Sequence, residues 1–149
     1  MSAQVIHFFR PEDAYGGFSN HSAHAIELHG KRWSTTEHYF QAQKFVGTEQ
    51  EEKIRLEPSS QVAAQMGRDR SFPIRKDWEA VKENLMREAL LAKFTQHADL
   101  KALLLSTGDA QIVEHTPSDA YWGDGADGCG KNRLGILLME IRQKLREGN

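Results

Sequence analysis

Residues 77–94 read DWEAVKENLMREALLAKF, and this stretch decides the fold class because its apolar side chains recur at the period of an α-helix. The side chains that recur near this period are Trp78, Val81, Leu85, Ala89, Ala92 and Phe94. Asp77 stands just before them, where a short acidic side chain commonly caps the first turn. The stretch therefore predicts a long amphipathic helix as the largest element of the chain.

Shorter elements are predicted on both sides of this helix. Further helices are predicted over residues 34–46, 50–56, 59–66, 100–105 and 134–145. Strands are predicted over residues 5–9, 25–28, 31–33 and 112–113, with His29-Gly30 as the turn of a hairpin. The fold class is therefore α+β: a predominantly helical single domain over residues 1–149, with a small β-sheet or hairpin.

The composition is that of an ordinary globular protein. The chain has 149 residues, of which 39% are hydrophobic and 27% are charged, with a net charge of -2. This charge disfavours non-specific binding to nucleic acid and fits a small anionic ligand better. The N-terminus lacks a long apolar run with basic flanks, so neither a signal peptide nor a membrane anchor is expected. Together with the single cysteine, Cys129, this predicts a cytoplasmic protein.

A glycine-rich stretch precedes the last predicted helix. Residues 123–132 read GDGADGCGKN and approach the G-x-x-x-x-G-K pattern of triphosphatases. Asn132 stands where the magnesium-binding hydroxyl should be, and no buried strand leads directly into the loop, so a triphosphatase is excluded. Two interpretations remain: free backbone N–H groups that bind a phosphate monoester at a helix N-terminus, or an irregular turn.

A second candidate site lies on the helix predicted after Trp33. Glu37, Gln41 and Lys44 are spaced i, i+4 and i+7 and so share one helix face. Glu37 also fits the last position of a capping box that begins at Ser34, and Lys44 fits a solvated residue. The aromatic neighbours in EHYFQAQKF favour a partly dehydrated strip instead. A dehydrated carboxyl group suits proton transfer, and dehydration lowers the pKa of a lysine so that its neutral amine can act as a nucleophile.

Three other features have a structural and a functional interpretation each. Arg68 and Arg70 form either a solvated basic face or a clamp for phosphate. Trp78 is either a core anchor or a stacking surface for a heterocycle. Asp119 fits an Asx turn as well as a catalytic role. The pair His21-x-x-His24 lies in a loop rich in glycine, serine and asparagine, so no metal site is predicted there.

Several of these motifs occur together in one known family. YGGFSN, EHYFQAQKF, MGRDR, DAYWGDG and GKNRLG follow one another in the order found in the YbiA-like family, also called NADAR, and the resemblance covers nearly the whole chain. It implies the YbiA-like fold and an N-glycosidase. Relatives cleave ribosylaminopyrimidine and ribosylaminouracil 5′-phosphates, which are riboflavin intermediates, and release ribose 5-phosphate. Another branch of the family removes ADP-ribose from guanine.

The resemblance also implies roles for particular residues. By motif position, the family's functional residues correspond to Glu37, Trp78 and Asp119, and Lys44 matches a lysine of the guanine-directed branch. One departure is Ser34, because relatives commonly read W-P-T where this chain reads WST. We expect Glu37, Lys44, Trp78 and Asp119 to be catalytic. We expect the substrate to be bound by Tyr39, Arg68, Arg70, Trp122, Gly123, Asp124, Gly125, Lys131 and Asn132.

The expected partner is a small phosphorylated ribosylamine. No membrane, metal or cofactor is expected. Nucleic acid is expected only as an ADP-ribosylated substrate of the alternative activity, hydrolysis of ADP-ribose from guanine. A noncatalytic ADP-ribose or nucleotide reader is a third alternative, which the presence of Glu37, Asp119 and Lys44 disfavours.

Overall fold

The computed structural model describes residues 4–125 and 127–148 and confirms a helix-rich α+β fold. The elements, in chain order, are β1 (Val5–Phe8), a 3-10 helix (Gly16–Phe18), β2 (Ile26–Leu28), β3 (Lys31–Trp33), α1 (Thr36–Gln43), α2 (Glu49–Leu56), α3 (Ser60–Arg68), α4 (Trp78–Gln96), α5 (Ala98–Ser106), β4 (Gln111–Glu114) and α6 (Arg133–Arg146). Among the described helices, none is long and apolar enough to cross a membrane.

The chain divides into two compact units. The central unit comprises residues 23–96, and the terminal unit comprises the described residues up to Ser22 and from His97 onward. The central unit contains the β2–β3 hairpin and helices α1 to α4, whereas the terminal unit contains β1, β4, α5 and α6. That residues 1–149 form a single domain stays a prediction.

The predicted hairpin opens the central unit. Strands β2 and β3 pair antiparallel, with Ile26 opposite Trp33 and Leu28 opposite Lys31. His29 and Gly30 both have positive φ, 56° and 76°, as in the turns that match the twist of a two-residue hairpin. This geometry explains why a glycine follows His29 at the tip of the hairpin.

Helix α1 runs through the middle of the central unit, and every one of its residues is buried. Thr35 caps it, because the Thr35 side chain accepts a hydrogen bond from the backbone N–H of His38. The predicted capping box from Ser34 to Glu37 is therefore wrong: the cap lies one residue later, which places Glu37 in the first turn without a capping role.

Helix α4 confirms the prediction made from residues 77–94, although its buried face is rotated. Trp78, Ala89 and Phe94 are buried as expected, but Val81 and Leu85 are only half buried. Their place in the core is taken by Met86 and Leu90. A cluster of buried side chains in the central unit consists of Ile26, Trp33, Tyr39, Ala42, Phe45, Ile54, Ala63, Ala89 and Ala92.

The terminal unit is built on a parallel strand pair that joins distant parts of the chain. Val5 pairs with Gln111 and Phe8 with Glu114, and α6 packs closely on β4. A methyl group at Gly135 would lie 2.0 Å from the carbonyl oxygen of Ile112, so only glycine allows this approach. The predicted strands over 5–9 and 112–113 are confirmed, but the sequence did not indicate that they pair.

Candidate active site

The first candidate site lies in the central unit, where α1 presents Glu37 and Gln41 on the same face. Glu37 is buried, with 8% of its surface exposed. Its Oε2 accepts a hydrogen bond of 2.7 Å from Nε2 of Gln41, one helical turn later. The amide therefore holds the carboxylate in one orientation, as a group that works on a substrate requires.

The other end of the Gln41 amide is pressed against α3. Its Oε1 is buried and has no hydrogen-bond partner among the described residues. A methyl group at Gly67 would lie 1.9 Å from this oxygen, so the amide can occupy its position only because residue 67 is a glycine. A buried acceptor without a hydrogen-bond partner costs about 1–3 kcal/mol of stability. Oε1 of Gln41 remains without a partner while Nε2 of the same amide donates to Glu37.

Lys44 completes the same strip at the C-terminal end of α1. Its Nζ donates a hydrogen bond of 3.2 Å to the carbonyl oxygen of Gly67 and lies 5.6 Å from the centre of a Trp78 ring. Burial, together with the positive charge of Arg70, lowers the pKa of Lys44 to about 8, against the opposing effect of Glu37. At pH 7, roughly one tenth of the Lys44 amine is therefore neutral.

Positive charge surrounds this lysine. Arg70 also donates to the Gly67 carbonyl, from Nη1 at 3.1 Å, so two cationic groups converge on one oxygen. The charges of Arg68 and Lys82 act on Lys44 in the same direction as that of Arg70. An anion bound here would be stabilised by all of these groups, although Arg68 and Arg70 are exposed and partly screened by water.

Trp78 and Tyr39 have different placements. Trp78 opens α4, is 6% exposed, and packs against Phe40 with ring centres 5.0 Å apart. Tyr39 was expected to bind substrate, but its side chain is completely buried and its hydroxyl donates to Glu88. It packs edge to face on Trp33, so in this structure it is a core residue that offers no surface to a ligand.

The second group of predicted residues lies in the terminal unit, in the loop between β4 and α6. Asp119 Oδ1 accepts hydrogen bonds from the backbone N–H groups of Tyr121 and Trp122, at 2.9 and 2.8 Å. This is the Asx-turn arrangement that the sequence allowed. Asp119 is half buried, and its other carboxylate oxygen is the one available for proton transfer in a catalytic role.

The backbone of the glycine-rich loop differs from the expectation. The N–H groups of Gly130, Lys131, Asn132, Arg133 and Leu134 all donate to carbonyl oxygens of residues 120–124, at 2.7–3.0 Å. The prediction that these amides are free to bind phosphate at the N-terminus of α6 is therefore wrong, because the loop folds back and satisfies them. The side chain of Lys131 is exposed and lies 5.6 Å from the Tyr121 ring centre.

Three further members of the predicted binding set serve the structure of this loop. Asn132 adopts φ 51° and pairs with β4, accepting from the N–H of Glu114 and donating to the carbonyl of Ile112. Gly123 is buried, and a methyl group there would lie 2.4 Å from a Thr116 side-chain carbon. Gly125 has φ 69° and donates to the Asp119 carbonyl, so glycine permits the turn.

Asp124, also predicted to bind substrate, is buried and turned toward a histidine. Its Oδ2 lies 2.7 Å from Nδ1 of His115, and its Oδ1 accepts from the N–H of Thr116. With His7 of β1, these two residues form the one group among the described residues whose ligand atoms lie close enough to hold a metal ion. The His21-x-x-His24 pair does not belong to it.

A pocket of about 320 Å³ lies elsewhere in the central unit, and Phe45, Phe72, Pro73 and Lys53 are among the residues that line it. None of the predicted site residues lines it.

The structure thus brings Glu37, Lys44, Trp78 and Arg70 together in the central unit and places Asp119, Asp124, Lys131 and Asn132 in one loop of the terminal unit. Sequence reasoning assigned no role to Gln41 or Gly67. The i, i+4 spacing from Glu37 indicated the first, whereas the second was marked only as part of the MGRDR motif.

A buried carboxylate and a buried lysine on one helix face are the groups that an enzyme acting by acid–base or amine chemistry requires. The NADAR domain model matches residues 7–146, and the chain belongs to this family. The chain is 59% identical to the N-glycosidase YbiA of Escherichia coli, over 97% of this chain and 91% of that protein.

Two further similarities agree. The NMR structure of E. coli YbiA superimposes with a TM-score of 0.92 at 58% identity, covering 99% of this chain and 88% of that one. The chain is 39% identical to the riboflavin biosynthesis protein PYRR of Zea mays. The similarity covers 95% of this chain and 25% of the maize protein.

Proposed function

We propose that this chain, an N-glycosidase, hydrolyses ribosylaminopyrimidine and ribosylaminouracil 5′-phosphates and releases ribose 5-phosphate. The similarity to a curated N-glycosidase over almost the full length supports the reaction class. The similarity to a protein named for riboflavin biosynthesis supports the substrate class.

The observation that carries the proposal is the lysine beside the fixed carboxylate. Lys44 has a pKa of about 8, and Gln41 orients the carboxylate of Glu37 on the same helix face. In our mechanism, the neutral amine of Lys44 attacks the anomeric carbon as the bond to the leaving nitrogen breaks. The leaving nitrogen receives a proton from the acid, and the bond between Lys44 and the sugar replaces the broken bond.

Hydrolysis then returns the enzyme to its starting state. The sugar ring opens to a Schiff base on Lys44 as the ring oxygen takes up a proton, and Glu37 transfers the protons in this step. Water adds to the Schiff-base carbon, and the carbon–nitrogen bond to Lys44 breaks. Ribose 5-phosphate leaves, and Lys44 is again an amine. The role of Asp119 as the acid for the leaving nitrogen stays a prediction from the family resemblance, since Asp119 lies in the terminal unit.

The phosphate site follows from the distribution of charge. Arg70 and Arg68 lie near Lys44 and carry charges that favour an anion. The loop amides are already paired, so Lys131 could contribute only through its side chain. We therefore propose Arg70 as the main phosphate ligand. Arg70→Ala is expected to raise KM about tenfold or more, and Lys131→Ala is expected to raise it less.

The test measures ribose 5-phosphate release and then traps the intermediate. Borohydride reduction during turnover is expected to attach one pentose phosphate to Lys44, which peptide mass spectrometry would locate. Lys44→Met should abolish trapping and turnover, whereas Lys101→Met, at an exposed position of α5, should retain both. Turnover without any trapped adduct would instead support direct attack by water, with Glu37 as base and Asp119 as acid.

A substrate comparison tests the alternative activity. The same enzyme is assayed on an oligonucleotide that carries ADP-ribosylated guanine, since Lys44 matches the lysine of the guanine-directed branch. Faster release of ADP-ribose than of ribose 5-phosphate would replace the proposed substrate. Tight binding of ADP-ribose with no turnover of either substrate would identify a noncatalytic reader.

A further inference from the structure

The terminal unit carries a second cluster of chemically active side chains, distinct from the residues of the central unit. His7 lies in β1, His115 follows β4 directly, and Asp124 lies in the loop before α6. One ligand atom from each lies within 4.8 Å of the others. Three segments far apart in sequence thus deliver two imidazoles and one carboxylate to the same place.

The framework behind these side chains is well fixed. His7 of β1 is in register with Val113 of β4. The backbone N–H of His115 donates a hydrogen bond of 2.9 Å to the carbonyl oxygen of Phe8. Asp124 is tied by its own N–H to Glu114 and by its carbonyl to Gly130. Its Oδ1 is held by the N–H of Thr116, which leaves Oδ2 directed at His115. The backbone that carries His7, His115 and Asp124 therefore needs little reorganisation for these side chains to bind one ligand.

The cluster is also accessible. The side chain of His115 is 51% exposed and His7 is exposed, whereas Asp124 forms a buried floor. The two rings meet edge to face with centres 5.3 Å apart. An ion can enter from water, reach all three donors and keep a water molecule as a further ligand.

We propose that His7, His115 and Asp124 form a binding site for a divalent transition metal ion, with Zn²⁺ as the representative ion. Two imidazoles and one carboxylate suit zinc, cobalt and nickel better than magnesium or calcium, which prefer oxygen ligands. The ion replaces the proton between His115 Nδ1 and Asp124 Oδ2, and that proton moves to Nε2 of the same ring.

The geometry requires modest movements. Zinc–ligand bonds of roughly 2.0–2.2 Å in a tetrahedral site separate neighbouring ligand atoms by about 3.3 Å. The present separation of 2.7 Å between His115 Nδ1 and Asp124 Oδ2 must therefore open slightly, and the exposed ring of His7 must rotate inward. Because Asp124 also anchors the loop that carries Asp119, the ion would stabilise this loop.

The test uses the full-length chain without a polyhistidine tag, dialysed against a chelator and titrated with Zn²⁺ alone by calorimetry. We expect one equivalent to bind with a Kd in the micromolar range or below. A hundredfold excess over Kd should raise Tm by roughly 5–10 °C. Co²⁺ in the same site should give the visible absorption of a site with nitrogen ligands.

Variants distinguish this site from weak surface binding. His7→Ala leaves the His115–Asp124 hydrogen bond intact and should weaken Zn²⁺ binding at least tenfold, with an unchanged Tm in chelator. His21→Ala, the matched control, should bind as the wild type does. The proposal is wrong if the wild type shows no saturable binding, if His7→Ala binds normally, or if His21→Ala abolishes binding. None of these readouts depends on glycosidase activity.

Discussion

At the scale of single residues, the chemistry of the central unit depends on contacts that type and spacing only partly indicate. Glu37 and Lys44 share a helix face because they are seven positions apart. What makes them a candidate pair is the surrounding structure: an amide that orients one and burial that lowers the pKa of the other. The Gln41 amide in turn depends on the missing side chain at position 67.

Gly67→Ala tests this dependence. In an ordinary helix the change would stabilise the protein, but here the new methyl group would lie 1.9 Å from Gln41 Oε1. We expect a loss of about 1–3 kcal/mol in the free energy of unfolding, from urea denaturation, and a large fall in kcat. The double variant Gly67→Ala/Gln41→Ala should recover only part of the stability, because the new methyl group still lies 2.9 Å from the Cβ of residue 41. It should not recover kcat, because Glu37 loses its donor. Recovery of both would show that Gln41 does not orient the carboxylate.

The pKa of Lys44 gives a prediction for pH dependence. If its neutral amine attacks the sugar, kcat/KM should rise with pH and level off above about pH 8. Arg70→Ala removes a positive charge that lowers the pKa of Lys44, so the rising limb should move to higher pH, by an amount that screening by water reduces. Arg68→Ala should move it less. A limb that stays in place in both variants, or moves to lower pH, contradicts the assignment to Lys44.

At the scale of elements, the sequence predicted most helices and strands but not their connections. The helix over residues 77–94 and the hairpin turn at His29-Gly30 were predictable because periodicity and turn chemistry are local. The pairing of β1 with β4 was not, since four-residue strands carry no information about distant partners. The amides before α6 were mispredicted for a related reason: the loop carbonyls that satisfy them are placed by the folding of the whole loop.

Asn132 illustrates how a residue in a binding-type motif serves the connection between elements. Asn132→Gly tolerates the positive φ but removes both hydrogen bonds to β4. We expect the free energy of unfolding to fall by about 1–3 kcal/mol. Lys131→Gly, the matched control, also introduces a glycine but at an exposed neighbouring position. It should lower the free energy of unfolding by less than about 1 kcal/mol. Equal losses in the two variants would mean that the Asn132 side chain does not stabilise the loop.

At the scale of the whole molecule, fold and reaction class rest on different evidence. Packing within each unit explains the elements, whereas the reaction class follows from membership of a family with a named N-glycosidase. Buried ionisable groups also make the stability of the folded chain depend on pH.

Lys93 is the group to examine. It is completely buried in α4, and burial lowers its pKa to about 7. The unfolded chain, with an ordinary lysine pKa, binds more protons than the folded chain between about pH 7 and 10.5, so the free energy of unfolding should rise with pH there. One such group contributes a slope of up to about 1.4 kcal/mol per pH unit.

Urea denaturation at several pH values would measure this slope. Lys93→Met should flatten the rise between about pH 7 and 10, and Lys101→Met, at an exposed position of α5, should leave it unchanged. An equal slope in the wild type and Lys93→Met would show that Lys93 keeps an ordinary pKa in the folded protein.

The parallel pairing of Val5–Phe8 with Gln111–Glu114 has a consequence for biosynthesis. The central unit is a continuous segment, so it can fold while the ribosome is still making the rest of the chain. Strand β1 is translated before the central unit but must wait for a partner that is translated about a hundred residues later. Translation of residues 111–114 therefore sets the earliest moment at which β1 can pair and Phe8 can be buried.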